Sequence, residues 1–221
     1  MYKKIADEFA KNRNNRVWHE WSFFLPILKK LPTHPHIVDL GCGNGRLFNW
    51  LLTHISKPWR YTGIDPEIAF KEYVIARFKN ISPEISASFV QGDFSATGLA
   101  PASVDCVCAI ASWHHVSSGD ELNKSEKELR RILKREGICL MTVWNLYTPR
   151  HILKYGLWHA WKGLIHGYFD CMIPWKDKHG EKHYRTYRAW TVSTLQKWWK
   201  SRGWQFTLLH KGRNVVFAVR P

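Results

Sequence analysis

The sequence of 221 residues predicts an α/β fold, a mostly parallel sheet with helices on both faces. Three observations favour it. An apolar run at residues 37–40 leads into a glycine-rich turn and a helix-like segment. Strand-like and helix-like segments then alternate as far as residue 144, and a helix and two short strands close the chain. Five alternating strands and the closing pair make seven, which is typical of a doubly wound sheet.

Each element has its own pattern. Helices are predicted after the glycine turn, at residues 67–80, between the capping box at Ser118 and Gly137, and at residues 193–201. Strands are predicted at residues 37–40, 61–65, 88–94, 104–111, 138–144, 204–209 and 214–219.

The glycine turn predicts a ligand site. Gly41, Gly43 and Gly45 let the backbone turn sharply and approach a ligand closely. A phosphate-binding loop would carry a Lys-Ser/Thr pair after its glycines, and this turn has none. Asp39 precedes the turn, and a carboxylate there attracts a cation and repels phosphate.

Two further acids follow the next two strands. Asp65 ends the second strand, at the spacing where an acid accepts hydrogen bonds from a ribose, and Asp93 ends the third. Acids after three successive strands suit a ligand with a sulfonium charge, a ribose and an adenine. The remaining predicted cofactor-binding residues are Cys42, Asn44 and Phe94, which are neighbours of these positions, and Ile110, near the end of the fourth strand.

This loop and its spaced acids resemble the class I S-adenosylmethionine-dependent methyltransferases, whose loop reads Asp-x-Gly-Cys-Gly-x-Gly. The resemblance implies a Rossmann-like fold and S-adenosyl-L-methionine as methyl donor. A glycine turn without a ligand is the alternative interpretation.

The composition indicates which classes of partner, metal site and location to expect. The net charge of +15 implies a polyanionic partner, with nucleic acid favoured over a solvated basic surface or an anionic membrane surface. No apolar run of 18 residues predicts a membrane span, and the first residues lack the pattern of a signal peptide. The five cysteines and twelve histidines show no metal-ligand spacing, so we predict no metal, reduced thiols and a cytoplasmic location.

The chain is predicted to be a single domain with four parts. Residues 1–35 form an N-terminal arm, largely helical at 2–31; residues 36–145 form the cofactor-binding core, 146–190 a substrate-side insertion, and 191–221 the closing helix and strand pair. The insertion is rich in basic and aromatic residues, which suits unstacked bases, although an amphipathic helix over the core is also compatible with it.

Candidate catalytic residues stand in the arm and after the fourth strand. Arg13 and Arg16 lie in a basic break of the arm and are candidates for binding an anionic substrate; a solvated loop is the alternative. His114 and His115 follow the fourth strand, where ligands of open α/β sheets bind. A hydroxyl or amine acceptor would use such a histidine as base, whereas a carboxylate needs a donor such as arginine. Asn145 stands at the tip of the fifth strand.

A narrower resemblance is carried by Tyr2-x-x-Ile5-Ala6-x-x-Phe9 with Arg13 and Trp18, by the glycine loop, His114-His115 and Val143-Trp144-Asn145, and by Pro174-Trp175-Lys176 and Tyr184-Arg185-Thr186-Tyr187. These segments are similar to the tRNA wobble-uridine carboxymethyl methyltransferases, which esterify a carboxymethyl group on that uridine.

The narrower resemblance implies roles. Arg13 and His115 would contact the modified uridine, and Tyr184, Arg185 and Tyr187 would lie near the anticodon loop of tRNA. Some members of that family depend on a small zinc-binding activator subunit. Two alternatives stay open: methylation of a small molecule such as a quinone, lipid or carboxylic metabolite, and a binding module without turnover.

Overall fold

The computed structural model describes residues 8, 10, 17–79, 81–155, 161, 165–176 and 180–221. Its nine strands are β1 (His36–Leu40), β2 (Trp59–Asp65), β3 (Ile85–Gln91), β4 (Val104–Ile110), β5 (Leu133–Trp144), β6 (Tyr168–Lys176), β7 (Lys182–Trp190), β8 (Gln205–Lys211) and β9 (Asn214–Arg220). Seven of them form one sheet in the order β3-β2-β1-β4-β5-β9-β8. Strands β1 to β5 pair in parallel, and β9 is antiparallel to β5 and β8, so the predicted seven-stranded, mostly parallel sheet is confirmed.

Helices cover both faces of this sheet. The α-helices are α1 (Leu25–Leu28), α2 (Arg46–His54), α3 (Lys71–Arg77), α4 (Gly119–Ile132), α5 (Pro149–Tyr155) and α6 (Val192–Lys200). One apolar core packs α4 and α6 against the sheet, and a second packs α2 and the segment around Trp21 against the opposite face. Leu47 and Leu51 of α2, and Ile55 directly after its end, follow one another at helical spacing and are all buried. None of the helices described here is long and apolar enough to cross a membrane.

The predicted end of α4 was wrong. The helix ends at Ile132, and Gly137 lies inside β5 rather than after the helix. Leu133 pairs with Val104 and Ile138 with Cys106, so β5 bulges between these two pairs. A Cβ at position 137 would lie 2.8 Å from the Lys134 carbonyl oxygen, which explains why the bulge requires glycine.

The predicted helical arm is only partly described. Between residues 17 and 31 the structure shows a 3-10 helix, His19–Phe24, and the short α1, in which Pro26 stands near the start. The rest of the predicted helix, apart from Glu8 and Ala10, lies outside the described residues.

The insertion contains a β-hairpin that the sequence analysis did not predict. Strands β6 and β7 pair with each other, antiparallel, as a separate two-stranded sheet. The inner face buries Phe169, Cys171 and Ile173, which alternate along β6 with exposed residues. At the base of the hairpin, the Thr191 N–H donates to the Gly167 carbonyl at 2.9 Å. Gly167 has φ 76°, and a Cβ there would overlap Thr194 of α6, so this base is packed tightly against α6.

Candidate functional site

A cavity of about 300 Å³ opens where β1, β2 and β4 end. Its lining includes most of the predicted cofactor-binding residues and one of the predicted catalytic histidines: Asp39, Gly41, Cys42, Gly43, Asn44, Asp65, Asp93, Phe94, Ile110 and His115. Gly45 is not in the lining. It precedes α2 with φ 71°, so it shapes the turn from the loop into the helix.

The glycine loop lies tightly against the exit of β4. Gly41 has φ 78°, and a Cβ there would come 2.4 Å from the Cβ of Ser112. The Ser112 hydroxyl donates to the Leu40 carbonyl at 2.7 Å and so joins the two strand ends. Glycine at position 41 is therefore required both by its backbone conformation and by the close approach of the two segments.

Asp65 organises the loop as well as lining the cavity. Its two carboxylate oxygens accept from the Gly43 N–H at 2.8 Å and from the Glu67 N–H at 2.9 Å. Burial raises the pKa of Asp65 to about 6, although these two backbone donors oppose the shift.

Asp39 is more deeply buried. The Tyr61 hydroxyl donates to its carboxylate at 2.9 Å, and burial raises the pKa of Asp39 to about 7, a shift that Tyr61 and the charge of Arg46 oppose. A cationic ligand would favour the ionised form of such a carboxyl. The carboxyl groups of Asp39 and Asp65 therefore fit S-adenosyl-L-methionine, whose sulfonium and ammonium groups are positive, and would fit a phosphate poorly.

Asp93 and Phe94, which follow β3, also line the cavity. One oxygen of the Asp93 carboxylate accepts from the Ser95 N–H and hydroxyl, both at 2.7 Å, and from the Ala96 N–H at 3.0 Å. Phe94 packs edge-on against the buried Trp113, with 5.3 Å between ring centroids. These contacts hold both side chains in place at the exit of β3.

Several lining residues were missed by the sequence analysis. Arg46 follows the loop directly, and its guanidinium carbon lies 4.4 Å from the Trp18 ring centroid and 5.5 Å from that of Trp21. Its place beside the motif was a usable signal. Pro66 and Ser112 also lie beside predicted residues, whereas Trp21, Phe70, Glu121 and Ser125 come from other segments and carried no local signal.

The backbone beside the histidines is strained. Ala111, which lines the cavity, has φ 51°, a conformation that is uncommon for a residue with a Cβ. Its N–H donates to both the carbonyl and the hydroxyl of Thr142, at 3.0 and 2.9 Å. Strain of this kind is found at functional sites, held in place by surrounding bonds.

The structure separates the two histidines. Both lie in a 3-10 turn, Trp113–His115, after β4. His115 is half-buried and lines the cavity, whereas His114 is 1% exposed and does not belong to the cavity lining. Tyr187 of the hairpin stacks on His114, with centroids 4.6 Å apart, and on Trp144 at 4.9 Å.

The predicted substrate residues are distributed unevenly. Tyr184 is 44% exposed, whereas Arg185 and Tyr187 are buried. Asn145 is buried too, and its amide donates to the Gly212 carbonyl at 2.8 Å, which joins β5 to the β8–β9 turn. Arg13 and Arg16 lie outside the described residues, and no group of metal-ligating side chains is found in the part of the chain that is described.

Known proteins share these features. Residues 38–141 match the model of a family described as a methyltransferase domain. The mouse tRNA (carboxymethyluridine(34)-5-O)-methyltransferase ALKBH8 is 28% identical over 151 residues, which is 66% of this chain and 19% of that protein. The Arabidopsis thaliana tRNA (carboxymethyluridine(34)-5-O)-methyltransferase is 27% identical over 145 residues, 65% of this chain and 31% of that protein. The chain thus spans less than a third of the length of these two relatives.

Solved structures share the fold. A structure described as a DhpI-SAM-HEP complex superposes with a TM-score of 0.69 at 14% identity, over 100% of this chain and 94% of that one. A structure of the Haloferax volcanii Trm112 methyltransferase activator in complex with a methyltransferase gives a TM-score of 0.60 at 16% identity, over 99% and 95%. Together with the loop, the acids and the strand order, these findings show that residues 38–141 match a methyltransferase domain, that the chain has the fold of S-adenosylmethionine-dependent methyltransferases, and that it resembles the tRNA carboxymethyluridine methyltransferases.

Proposed function

We propose that this protein esterifies the carboxymethyl group on the wobble uridine of tRNA, with S-adenosyl-L-methionine as donor. The observation that carries the proposal is one contact. His115 lines the donor cavity, and its Nδ1 lies 3.1 Å from the Thr186 carbonyl of the hairpin. The contact joins the donor site to a surface that suits RNA, and the curated relatives named above support the choice of nucleoside.

The chemistry assigns distinct tasks to the residues. S-adenosyl-L-methionine supplies an electrophilic methyl group on a positively charged sulfur. A carboxylate acceptor has an ordinary pKa of about 4, so it is already ionised at neutral pH and needs no general base. The protein must hold the donor through Asp39 and Asp65, align the acceptor and exclude water. His115 in its charged form would donate to the acceptor carboxylate, with Arg13 as a second donor.

The outer face of the hairpin suits an RNA loop. Near the tip, Met172 pairs with Thr186 and Pro174 with Tyr184 across the two strands, and all four side chains are exposed. Exposed aromatic and apolar side chains beside basic residues are the surface on which unstacked bases bind. The donor site is acidic, so the net charge of +15 must reside elsewhere, which also favours a polyanionic partner.

The direct test uses defined substrates. The protein would be incubated with labelled donor and tRNA that carries carboxymethyluridine or unmodified uridine at the wobble position, and nucleosides would be identified by mass spectrometry. We expect label in an alkali-labile ester on the carboxymethyl tRNA alone. Asp65→Ala serves as the inactive control. Absence of the ester with a folded, donor-binding protein would contradict the proposal.

Methylation of a small molecule is the second candidate function. It is favoured by the aromatic side chains that line the cavity, Trp21, Phe70 and Phe94, which would suit a flat acceptor. Salt separates the two functions, since affinity for tRNA falls steeply with salt when several phosphates are contacted. Flat salt dependence of tRNA binding, or none, would favour the small molecule.

We also propose a small zinc-binding activator as partner and the cytoplasm as location. Support for the activator comes from the Trm112 complex. The edge strand β3 pairs with β2 alone among the described strands, which leaves one edge for another chain. Support for the cytoplasm comes from the five cysteines, all of which are free and buried. Co-expression with an activator should raise soluble yield and methyl transfer if the first proposal is right.

A further inference from the structure

The hairpin has a second face that points towards the histidines. Exposed and buried residues alternate along the middle of β7, so Tyr184 and Thr186 belong to the outer face, whereas Arg185 and Tyr187 are buried. Tyr187 is 1% exposed. The strand that presents an RNA-compatible surface on one side therefore packs against the exit of β4 on the other.

The contact between His115 and Thr186 determines which ring nitrogen of His115 carries a hydrogen. A carbonyl oxygen can accept a hydrogen bond but cannot donate one, so the Nδ1 of His115 must carry the hydrogen in their 3.1 Å contact. In the neutral ring, Nε2 is then the nitrogen with a lone pair, and it is the nitrogen that gains a hydrogen, and so can donate to the acceptor carboxylate, when the ring becomes charged. The tautomer of His115 is thus set by the backbone of the hairpin.

Aromatic contacts fix the ring itself. The Tyr187 ring lies 4.5 Å from that of His115 and 4.6 Å from that of His114, and the two histidine rings are 4.7 Å apart. The Trp144 ring, at the end of β5, also stacks on the Tyr187 ring, with 4.9 Å between ring centroids and an interplanar angle of 28°. Tyr187 therefore lies between both histidines and the central sheet.

We propose that Tyr187 is a positioning residue: together with the Thr186 carbonyl, it holds His115 as the Nδ1–H tautomer with the ring fixed at the edge of the donor cavity. This inference rests on the proposed role of His115 in methyl transfer. It gives the hairpin two tasks, since the strand that would bind the acceptor also presents the histidine that faces it. Residues 185–187 of β7 would thus link an acceptor bound on the outer face to His115 on the other side of the strand.

The test reads the tautomer directly. Protein labelled with ¹⁵N at histidine would be studied by long-range ¹H–¹⁵N correlation with bound S-adenosylhomocysteine, and His115 would be assigned by loss of its signals in His115→Gln. We expect the Nδ1–H form to dominate in the wild-type protein and in Tyr187→Phe, which keeps the ring. Tyr187→Leu should give a mixture of both forms.

A matched control stands three residues away. Tyr184→Leu removes an exposed tyrosine from the same strand and should leave the His115 spectrum unchanged while it raises the KM for acceptor RNA. Tyr187→Leu should lower kcat about tenfold, the scale of a misplaced catalytic group, and leave the affinity for S-adenosylhomocysteine unchanged. If Tyr187→Leu does not fold, Tyr187→Met tests the same loss of ring stacking.

Two results would overturn the inference: a wild-type His115 that carries its proton on Nε2, or a Tyr187→Leu spectrum identical to that of the wild type. Both results come from NMR spectra that are recorded without an acceptor, so they do not depend on which molecule is methylated. A protein that shows the expected spectra but does not esterify tRNA would contradict the proposed function and leave the positioning role standing, so the two failures are distinguishable.

Discussion

The cavity that fits the methyl donor and the hairpin proposed to bind the acceptor, here called the donor half and the acceptor half, are built in different ways. The donor half places a short sequence motif and two spaced acids around one cavity, and its key contacts join neighbouring strand ends. On the acceptor side, the hairpin of residues 168–190 contacts a turn that lies more than 50 residues earlier in the chain. The predicted donor site thus carries a recognisable sequence motif, whereas the contact between the hairpin and His115 carries none, and variants at the two places should fail separately.

The largest expected effect is on the donor half. Asp65→Ala removes a carboxylate that accepts two backbone hydrogen bonds and leaves the Gly43 and Glu67 N–H groups without this acceptor. We expect the affinity for S-adenosylhomocysteine to fall about 100-fold or more, as measured by calorimetry. Glu84→Ala, at an exposed acid before β3, is the control and should bind normally. Intact binding by Asp65→Ala would show that the donor lies elsewhere.

The second prediction concerns the arm. Arg13→Ala should leave the affinity for S-adenosylhomocysteine unchanged and lower methyl transfer to carboxymethyl tRNA by about 10- to 100-fold, because a fork-shaped donor to the acceptor carboxylate is lost. Lys30→Ala, an exposed cation in the described part of the arm, provides the comparison. Unchanged turnover in Arg13→Ala would remove the arm from the acceptor side.

A third variant tests whether Arg46 contacts the amino-acid group of the methyl donor. Arg46 and Asp39 line the cavity with opposite charges, which suits the carboxylate and ammonium of an amino-acid group. Arg46→Ala should weaken binding of S-adenosylhomocysteine about tenfold, the loss of one charge-assisted contact, and leave binding of 5′-methylthioadenosine unchanged. Arg135→Ala, at an exposed site in β5, should affect neither ligand. Equal losses for both ligands would indicate a structural role instead.

The smallest expected effect is on stability. Because burial raises the pKa of Asp39 to about 7 and of Asp65 to about 6, the folded protein holds protons that the unfolded chain releases near pH 4. Their contribution to stability is therefore fully present below about pH 4 and is lost as pH rises through about 7. The Tm of the ligand-free protein should fall by a few degrees, on the order of 2–6 °C, between pH 5 and pH 8. Asp39→Asn should flatten this fall, and a wild-type Tm that falls no more steeply than that of the variant would contradict the shift.

The same contrast explains what the sequence could predict. The glycine loop, its acids and the alternation of strands and helices all follow from local patterns of glycine, charge and apolar residues, and nine of the ten predicted cofactor residues line the cavity. The hairpin was not predicted, although Phe169, Cys171 and Ile173 alternate with exposed residues as in a strand, because the segment is also rich in basic and aromatic residues, a composition that is compatible with a loop or a helix as well. The burial of Tyr187 beside His114 could not be predicted, since it depends on how two distant segments pack.

One last consequence follows from the way the hairpin joins the molecule. Its two ends meet at the Gly167–Thr191 hydrogen bond and lie against α6, while the exposed residues Pro174 and Tyr184 lie towards the other end. Evolution could therefore exchange the residues between Pro174 and Tyr184 for another sequence, and so change which molecule is methylated, while the contact of Thr186 with His115 and the lining of the donor cavity stay in place. A chimera that carries a foreign hairpin tip on these fixed ends would be a practical way to engineer new acceptors.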